Sequence, residues 1–209
     1  MRLLVLADLH GRNARAQEML RAAAPVDAVL LAGDITHFGP PESVVRLLEM
    51  VSCPIYAVPG NCDPPEVVSV LERNNMSVDG RVQPMRGFTM VGLGGSNHTP
   101  YGTPLELPEE QLRQSLSKST LRLSRPSLLL SHVPPQGILD HTRFQTFGGS
   151  SAVREFMSSF DLVVCGHIHE AHGVHEGPPI VVNCGPALSG YGTIVTFSDG
   201  RFAVEPIRL

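Results

Sequence analysis

The chain has 209 residues, 42% apolar and 17% charged, so it can bury a sizeable core and is not of disordered composition. Lys and Arg number 16 and Asp and Glu 20, a net charge of −4, which excludes a broadly basic nucleic-acid binder and a polybasic membrane anchor. The longest uninterrupted apolar runs are five residues, far below the about 20 needed to span a bilayer.

The first third alternates strand and helix signals. Leu3 to Ala7 reads as a buried strand. Asn13 is placed to cap a helix running to about Ala24, which Pro25 ends. Ala28 to Ala32 is a second buried strand. A turn with Gly39, Pro40 and Pro41 leads into a helix to about Val51. Ile55 to Val58 is a third strand, and Pro64 and Pro65 open a further helix that buries Val67, Val68, Val70 and Leu71. Three such units in series predict parallel strands with helical crossovers.

Phe88 to Leu93 reads as a strand ending in Gly94 and Gly95, and Pro108 to about Lys118 as a helix with acidic residues in its first turn. Leu128 to Ser131 is a strand, followed by a long loop from Val133 to Ser150, a length that usually marks function or mobility. Ser150 or Ser151 caps a helix to about Phe160, and Leu162 to Cys165 is again a buried strand. Four short runs close the chain: Gly173 to His175, Ile180 to Asn183, Thr193 to Phe197 and Phe202 to Pro206. Turns such as Gly177-Pro178-Pro179 and Ser198-Asp199-Gly200 join them and predict antiparallel pairing. With no repeat, linker or low-complexity tract, residues 1–209 read as one mixed α/β domain.

The polar residues that follow these strands are of one kind. Asp8 and His10 follow the first, Asp34 the second, and Asn61 and Asp63 the third. His132 follows a later strand, and His167 and His169 the next. The carboxyl ends of strands form the ligand crevice of open α/β sheets. In extended backbone, residues two apart share a face, so Asp8 with His10, and His167 with His169, point to one side. Gly11, Gly33, Gly60 and Gly166 allow sharp exits from the strands. Carboxylate, imidazole and amide donors suit Mn, Fe or Zn rather than calcium. Seven donors exceed one four-coordinate zinc and fit two metals sharing a carboxylate. Each motif alone occurs by chance; the ordered series, each member after its own strand, is hard to obtain that way. Two metals would also explain how an acidic chain attracts an anionic substrate.

With these residues the sequence resembles the calcineurin-like metallophosphoesterases from Asp8 to His169: D-x-H, G-D, G-N-x-D, a lone His and G-H-x-H. The resemblance implies a four-layer α/β/β/α sandwich with a dinuclear centre. Asp8, His10 and His169 would bind one metal, Asn61, His132 and His167 the other, and Asp34 would bridge them. The cofactors implied are two divalent ions, Mn favoured, with Fe, Zn, Ni or Co also suitable. A bridging hydroxide would attack the phosphorus of a phosphate ester or nucleotide.

The sequence departs from the family at one position, where Cys62 stands in place of a His that contacts phosphate and helps protonate the leaving group. Asp63 corresponds to the acidic residue that orients that His. Because a thiol hydrogen-bonds weakly, Cys62 points to esters with good leaving groups, phosphodiesters or cyclic nucleotides. The competing reading is that Cys62 is merely small and inert. Small bacterial and archaeal phosphodiesterases look similar in having Cys here.

His37 and His98 are candidate substrate contacts, with Phe38 and Tyr101 as candidate stacking surfaces for a base. His141, His172 and His175 read as surface or supporting residues, Asn183 and Gly185 as supports for the ligands, and Cys165 as core. Four cysteines without a CxxC pair read as reduced thiols, and the short N-terminal apolar run cut by Asp8 does not read as a secretory signal; both point to a cytoplasmic protein, oligomeric or not. The alternative from another class is a scaffold on the same fold, as the family's retromer subunit is, with a degraded metal site. Complete ligand positions favour the enzyme.

Overall fold

The apolar runs read above as buried strands are buried on both faces, which is why they lack alternation. A computed structural model describes residues 1–209. Eleven strands form two mixed sheets. The first sheet contains β1 (Arg2–Leu6), β2 (Ala28–Ala32), β3 (Ile55–Val58), β10 (Tyr191–Ser198) and β11 (Arg201–Arg208), in the order β11-β10-β1-β2-β3. The second contains β4 (Val82–Pro84), β5 (Thr89–Leu93), β6 (Ser127–Ser131), β7 (Leu162–Cys165), β8 (Gly173–His175) and β9 (Ile180–Asn183), in the order β4-β5-β6-β7-β9-β8.

Alternate residues of each strand serve different layers. Leu4, Leu6, Val29 and Leu31 pack outward against α1 (Asn13–Ala23), α2 (Glu42–Met50) and α3 (Pro65–Arg73). Leu3, Val5, Ala28 and Leu30 point the other way, onto Leu128, Leu130, Leu162 and Val164 of the second sheet. Leu129 and Val163 then face α4 (Glu109–Thr120) and α5 (Ser151–Phe156) on the far side. The result is helix, sheet, sheet, helix: the four-layer sandwich.

Strands β1, β2 and β3 run parallel with Leu4 beside Val29 and Leu31 beside Ala57, so their carboxyl ends lie level. In the second sheet β5, β6, β7 and β9 are parallel. The two sets of ends meet: Ala187 N–H, in the segment that follows β9, donates to the Ala7 carbonyl at the end of β1, 2.8 Å away.

Several local expectations need correction. Arg12, not Asn13, precedes α1, and no side chain caps it; Asn13 Nδ2 is instead committed to the Ser43 carbonyl of α2, 2.6 Å away. The helix after Ser150 ends at Phe156 and finishes in a 3-10 turn over Met157–Ser159, with Ser150 Oγ accepting from Val153 N–H as its cap. Antiparallel pairing holds for β8 with β9 and for β10 with β1 and β11, but β9 lies parallel to β7. The three-residue strand β4 carried no sequence signal, being too short to show a period. The long loop from Val133 to Ser150 is tied rather than free, because the Asp140 carboxylate accepts from Gly137 N–H and Gly149 N–H at 3.0 Å each. No helix is long and apolar enough to cross a membrane.

Candidate metal centre

The first sheet delivers Asp8, His10, Asp34 and Asn61 from the ends of β1, β2 and β3. The second delivers His132, His167 and His169 from the ends of β6 and β7. Donor atoms of Asp8, His10 and His169 lie within 4.8 Å of one another, as do those of Asp8, Asp34 and His132. Asn61 Oδ1 is 2.9 Å from His132 Nε2, and the His132 and His167 rings sit edge to face with centroids 4.9 Å apart. Asp34 stands between the groups, Oδ2 3.8 Å from His10 Nε2 and Oδ1 3.4 Å from His132 Nε2. Donor atoms of six expected residues are therefore brought together, with the His167 ring packed against that of His132.

They converge for a reason other than the extended-strand rule. Asp8, His10, Asp34 and His167 have φ of 54°, 45°, 49° and 69°, so the backbone is left-handed there and not extended. His169 lies in a 3-10 turn. Asp and His tolerate this region better than most residues, but such positions persist only where surrounding bonds over-determine them. Those bonds are present. Asp8 N–H donates to the Gly33 carbonyl, and His10 N–H to the Asp34 carbonyl. His167 N–H donates to Asp8 Oδ2 at 3.0 Å, and Cys62 N–H to Asp34 Oδ1 at 2.8 Å. His132 Nδ1 meets the Ala32 carbonyl at 2.8 Å, leaving Nε2 for the centre.

Two of the glycines serve by close approach rather than by a sharp turn. A Cβ on Gly60 would stand 2.1 Å from the Asp34 amide nitrogen, and one on Gly166 would stand 2.6 Å from Asp8 Oδ2. Gly60→Ala is expected to cost about 1–3 kcal/mol of stability through overpacking and to displace the Asp34 carboxylate. Denaturant midpoints with and without Mn2+ test this: the variant should lose stability and most of the metal-induced gain.

The electrostatics suit cations. Asp8 and Asp34 are both buried. Burial alone would raise the Asp8 carboxyl, but the His169 imidazole, 3.4 Å from Oδ1, and the other imidazoles around it outweigh burial and hold it low. Burial and the Asp8 charge raise Asp34 despite the His132 imidazole. Burial pushes His10 down to about 4 and His167 to about 3, helped by neighbouring imidazoles, so both offer free lone pairs at neutral pH. Asp8 Oδ1 and His10 Nδ1 are buried without any hydrogen-bond partner. Native proteins leave few such atoms unpaired, and a cation would satisfy Asp8 Oδ1. The donor set and this orphan fit a divalent metal.

The other expected residues take different positions. Cys62 is buried beside the centre, and its Sγ with nitrogens of His10 and His37 forms a third close group. Burial and the Asp34 charge push its thiol far up, so it stays protonated. Asp63 points away from the crevice. Its carboxylate accepts from the backbone N–H groups of Ile35, Thr36 and Gly60 and from Thr36 Oγ1, at 2.8–3.1 Å, and locks together the two loops that carry Asp34 and Asn61. His37 is exposed at the mouth with its ring 5.3 Å from His10 and 4.5 Å from Phe38. His98 lies farther out, its side chain 69% exposed and 3.6 Å from Glu106; Tyr101 is also largely exposed. Asn183 Nδ2 donates to the carbonyls of Leu139 and Ile168, supporting the turn between His167 and His169.

A cavity of about 500 Å³ opens over the centre, lined by His10, Gly11, Arg12, His37, His169 and Leu188. The only sequence signal for Arg12 at this mouth is a lone guanidinium two residues after the candidate ligand His10.

The Calcineurin-like phosphoesterase family model matches residues 1–171. The chain belongs to this family. It is 34% identical over 197 residues to an uncharacterized protein of Methanocaldococcus jannaschii, covering 89% of this chain and 88% of that one. A Synechococcus protein described as a probable cyclic nucleotide phosphodiesterase is 28% identical over 167 residues, 76% of this chain and 64% of its own length. The solved structure of a Thermus thermophilus protein superposes with a TM-score of 0.76, covering 99% of each chain at 19% identity, which supports the fold. Family members generally bind divalent metals, and the Asp and His clusters here could hold them.

Proposed function

We propose that this calcineurin-like phosphoesterase is a phosphodiesterase using two divalent cations, Mn2+ foremost, on a small phosphodiester such as a cyclic nucleotide. The observation that carries the reading is Asp34 set between two donor groups, beside a buried Asp8 oxygen that accepts no hydrogen bond and faces His169 Nε2 at 3.4 Å. Asp8, His10 and His169 would hold one cation, Asn61, His132 and His167 the other, and Asp34 both. When bound, the pair would supply positive charge toward the phosphoryl oxygens and lower the pKa of a water.

The chain's own residues set the substrate range. The cavity lies in the usual size range for small-molecule sites, and the chain has no excess of basic residues to follow a polymer. Arg12 lines that cavity and is placed to pair with a phosphate oxygen. Arg12→Ala is expected to raise KM about tenfold with kcat little changed, the result of losing ground-state and transition-state binding alike. The Cys62 thiol keeps its proton and is a poor donor to a leaving group, which favours esters whose leaving group departs without protonation. The layer between the sheets draws on side chains from Leu3 through to Val204, so the reading takes the whole chain as one domain.

The test is a panel of mono- and diesters assayed with Mn, Ni, Co, Mg and Zn, using Asp34→Asn as the blank. Metal-dependent hydrolysis with diesters ahead of monoesters is expected. A preference for monoesters overturns the diester assignment, and no metal-dependent hydrolysis overturns the enzyme assignment in favour of the scaffold.

A further inference from the structure

We propose that the segment from Ser96 to Leu107 is a strap that holds the Asn61 amide with its oxygen toward the cation site, and that Thr103 and Glu106 are the positioning residues. The inference rests on the dinuclear reading of the centre and adds to it a group outside the ligand set.

An asparagine amide is nearly symmetric in shape, yet only its oxygen can bind a cation. Something must therefore decide which end faces inward. Thr103 has one hydroxyl proton. Its Oγ1 lies 2.6 Å from Glu106 Oε1 and 2.9 Å from Asn61 Nδ2. An ionised carboxylate only accepts, so the Thr103 proton goes to Glu106. That leaves Thr103 Oγ1 as an acceptor toward Asn61, and only the NH2 end of the amide can satisfy it. The Asn61 oxygen is thereby turned toward His132 Nε2, 2.9 Å away.

Glu106 is fixed for this task. Besides the Thr103 hydroxyl it accepts from Thr103 N–H at 2.8 Å, Thr99 N–H at 3.0 Å and Thr99 Oγ1 at 2.5 Å. Although burial opposes ionisation, these bonds hold its carboxyl down to about 2, so it is an acceptor at any ordinary pH. The strap also grips the Asn61 main chain, through Leu105 N–H to the Asn61 carbonyl at 3.0 Å. Ser96 N–H to the Leu105 carbonyl and Leu107 N–H to the Ser96 carbonyl close the strap on itself. His98, a candidate substrate contact, is an exposed residue of this strap, 3.6 Å from Glu106.

The experiment compares wild type, Thr103→Val, Thr103→Ser and Glu106→Gln. Valine keeps the shape and removes the hydroxyl. Glutamine can donate, so it no longer dictates where the Thr103 proton goes. The first readout is the Asn61 side-chain NH2 signal in 15N NMR of metal-free protein; the second is Mn2+ affinity and stoichiometry by calorimetry. Thr103→Val and Glu106→Gln should shift the Asn61 NH2 signal and weaken one of two Mn2+ sites by about 10–100-fold, as loss of an orienting partner does. Thr103→Ser should restore both. Unchanged NH2 signals, or two sites of wild-type affinity in both altered proteins, overturn the role of the strap. A wild type that binds no Mn2+ overturns the dinuclear reading, and this inference with it. Should Thr103→Val fail to fold, Glu106→Gln alone decides.

Discussion

Asp34→Asn is expected to lower kcat by about 10³-fold while making the metal-free protein more stable. The first half follows from position. Asp34 is the carboxylate placed to serve both donor groups, and loss of several kcal/mol of charge stabilisation in the transition state corresponds to about three orders of magnitude in rate. The second half follows from burial. Asp34 and Asp8 are buried with donor atoms within 4.8 Å, so without cations their mutual repulsion is about 3 kcal/mol at an effective dielectric of about 20. An asparagine removes this repulsion and the cost of burying one charge, and its Oδ1 still accepts from Cys62 N–H. Because the Asp34 carboxyl is raised in the folded state, the metal-free wild type loses stability as pH rises past 3.8 and levels off above the folded value. The Asn variant lacks that loss, so the gap between them is widest near neutral pH. Melting curves in chelator and in Mn2+ check both halves. The variant should melt a few degrees higher in chelator, at about 2–4 °C per kcal/mol for a chain this size, and gain little from Mn2+, which should raise the wild type. A variant retaining a tenth of the wild-type kcat would remove Asp34 from its assigned place.

Much of this centre is readable from order along the chain, because each donor follows its own apolar strand and strand ends are local features. What could not be read is non-local or conformational. The extended-backbone rule puts Asp8 and His10 on one side, but the left-handed φ at both shows that bonds from the β2 loop do the aiming. Nothing in the local pattern around Asp8 announces those partners. The division of donors between two sheets likewise depends on the packing of Leu3, Val5 and Leu30 against Leu128, Leu130, Leu162 and Val164, which no single segment encodes. Asp63 reads as part of a ligand motif, yet its four hydrogen bonds go to backbone and to Thr36, a role visible only once two loops are side by side. The strap from Ser96 to Leu107 has neither strand nor helix period, so its hold on Asn61 left no trace in hydrophobic patterning.

Cys62→His is expected to raise the rate on phosphomonoesters and on diesters with poor leaving groups by about 10²-fold, the low end for general acid catalysis. Esters with good leaving groups should change by less than about threefold, since they gain little from a proton. The argument starts from the thiol. Burial and the Asp34 charge keep its proton on at all working pH values, so the wild type has no effective donor at position 62. An imidazole there would point into the group already formed by His10, His37 and Cys62. Asp63 is fully engaged with backbone and cannot be counted on to orient the new ring, which is why the low end of the range applies. The measurement is log kcat/KM against leaving-group pKa for a series of aryl phosphodiesters. Wild type should give a steep slope and the variant a shallow one. A shallow slope in the wild type would mean that a proton donor is already present, and His37, in the same group and exposed at the cavity mouth, is the side chain placed to be it. His37→Ala separates the two cases: it steepens the slope if His37 donates and leaves it unchanged if no residue does. Equal slopes in wild type, Cys62→His and His37→Ala would detach position 62 from leaving-group chemistry and leave the cysteine as a small buried side chain.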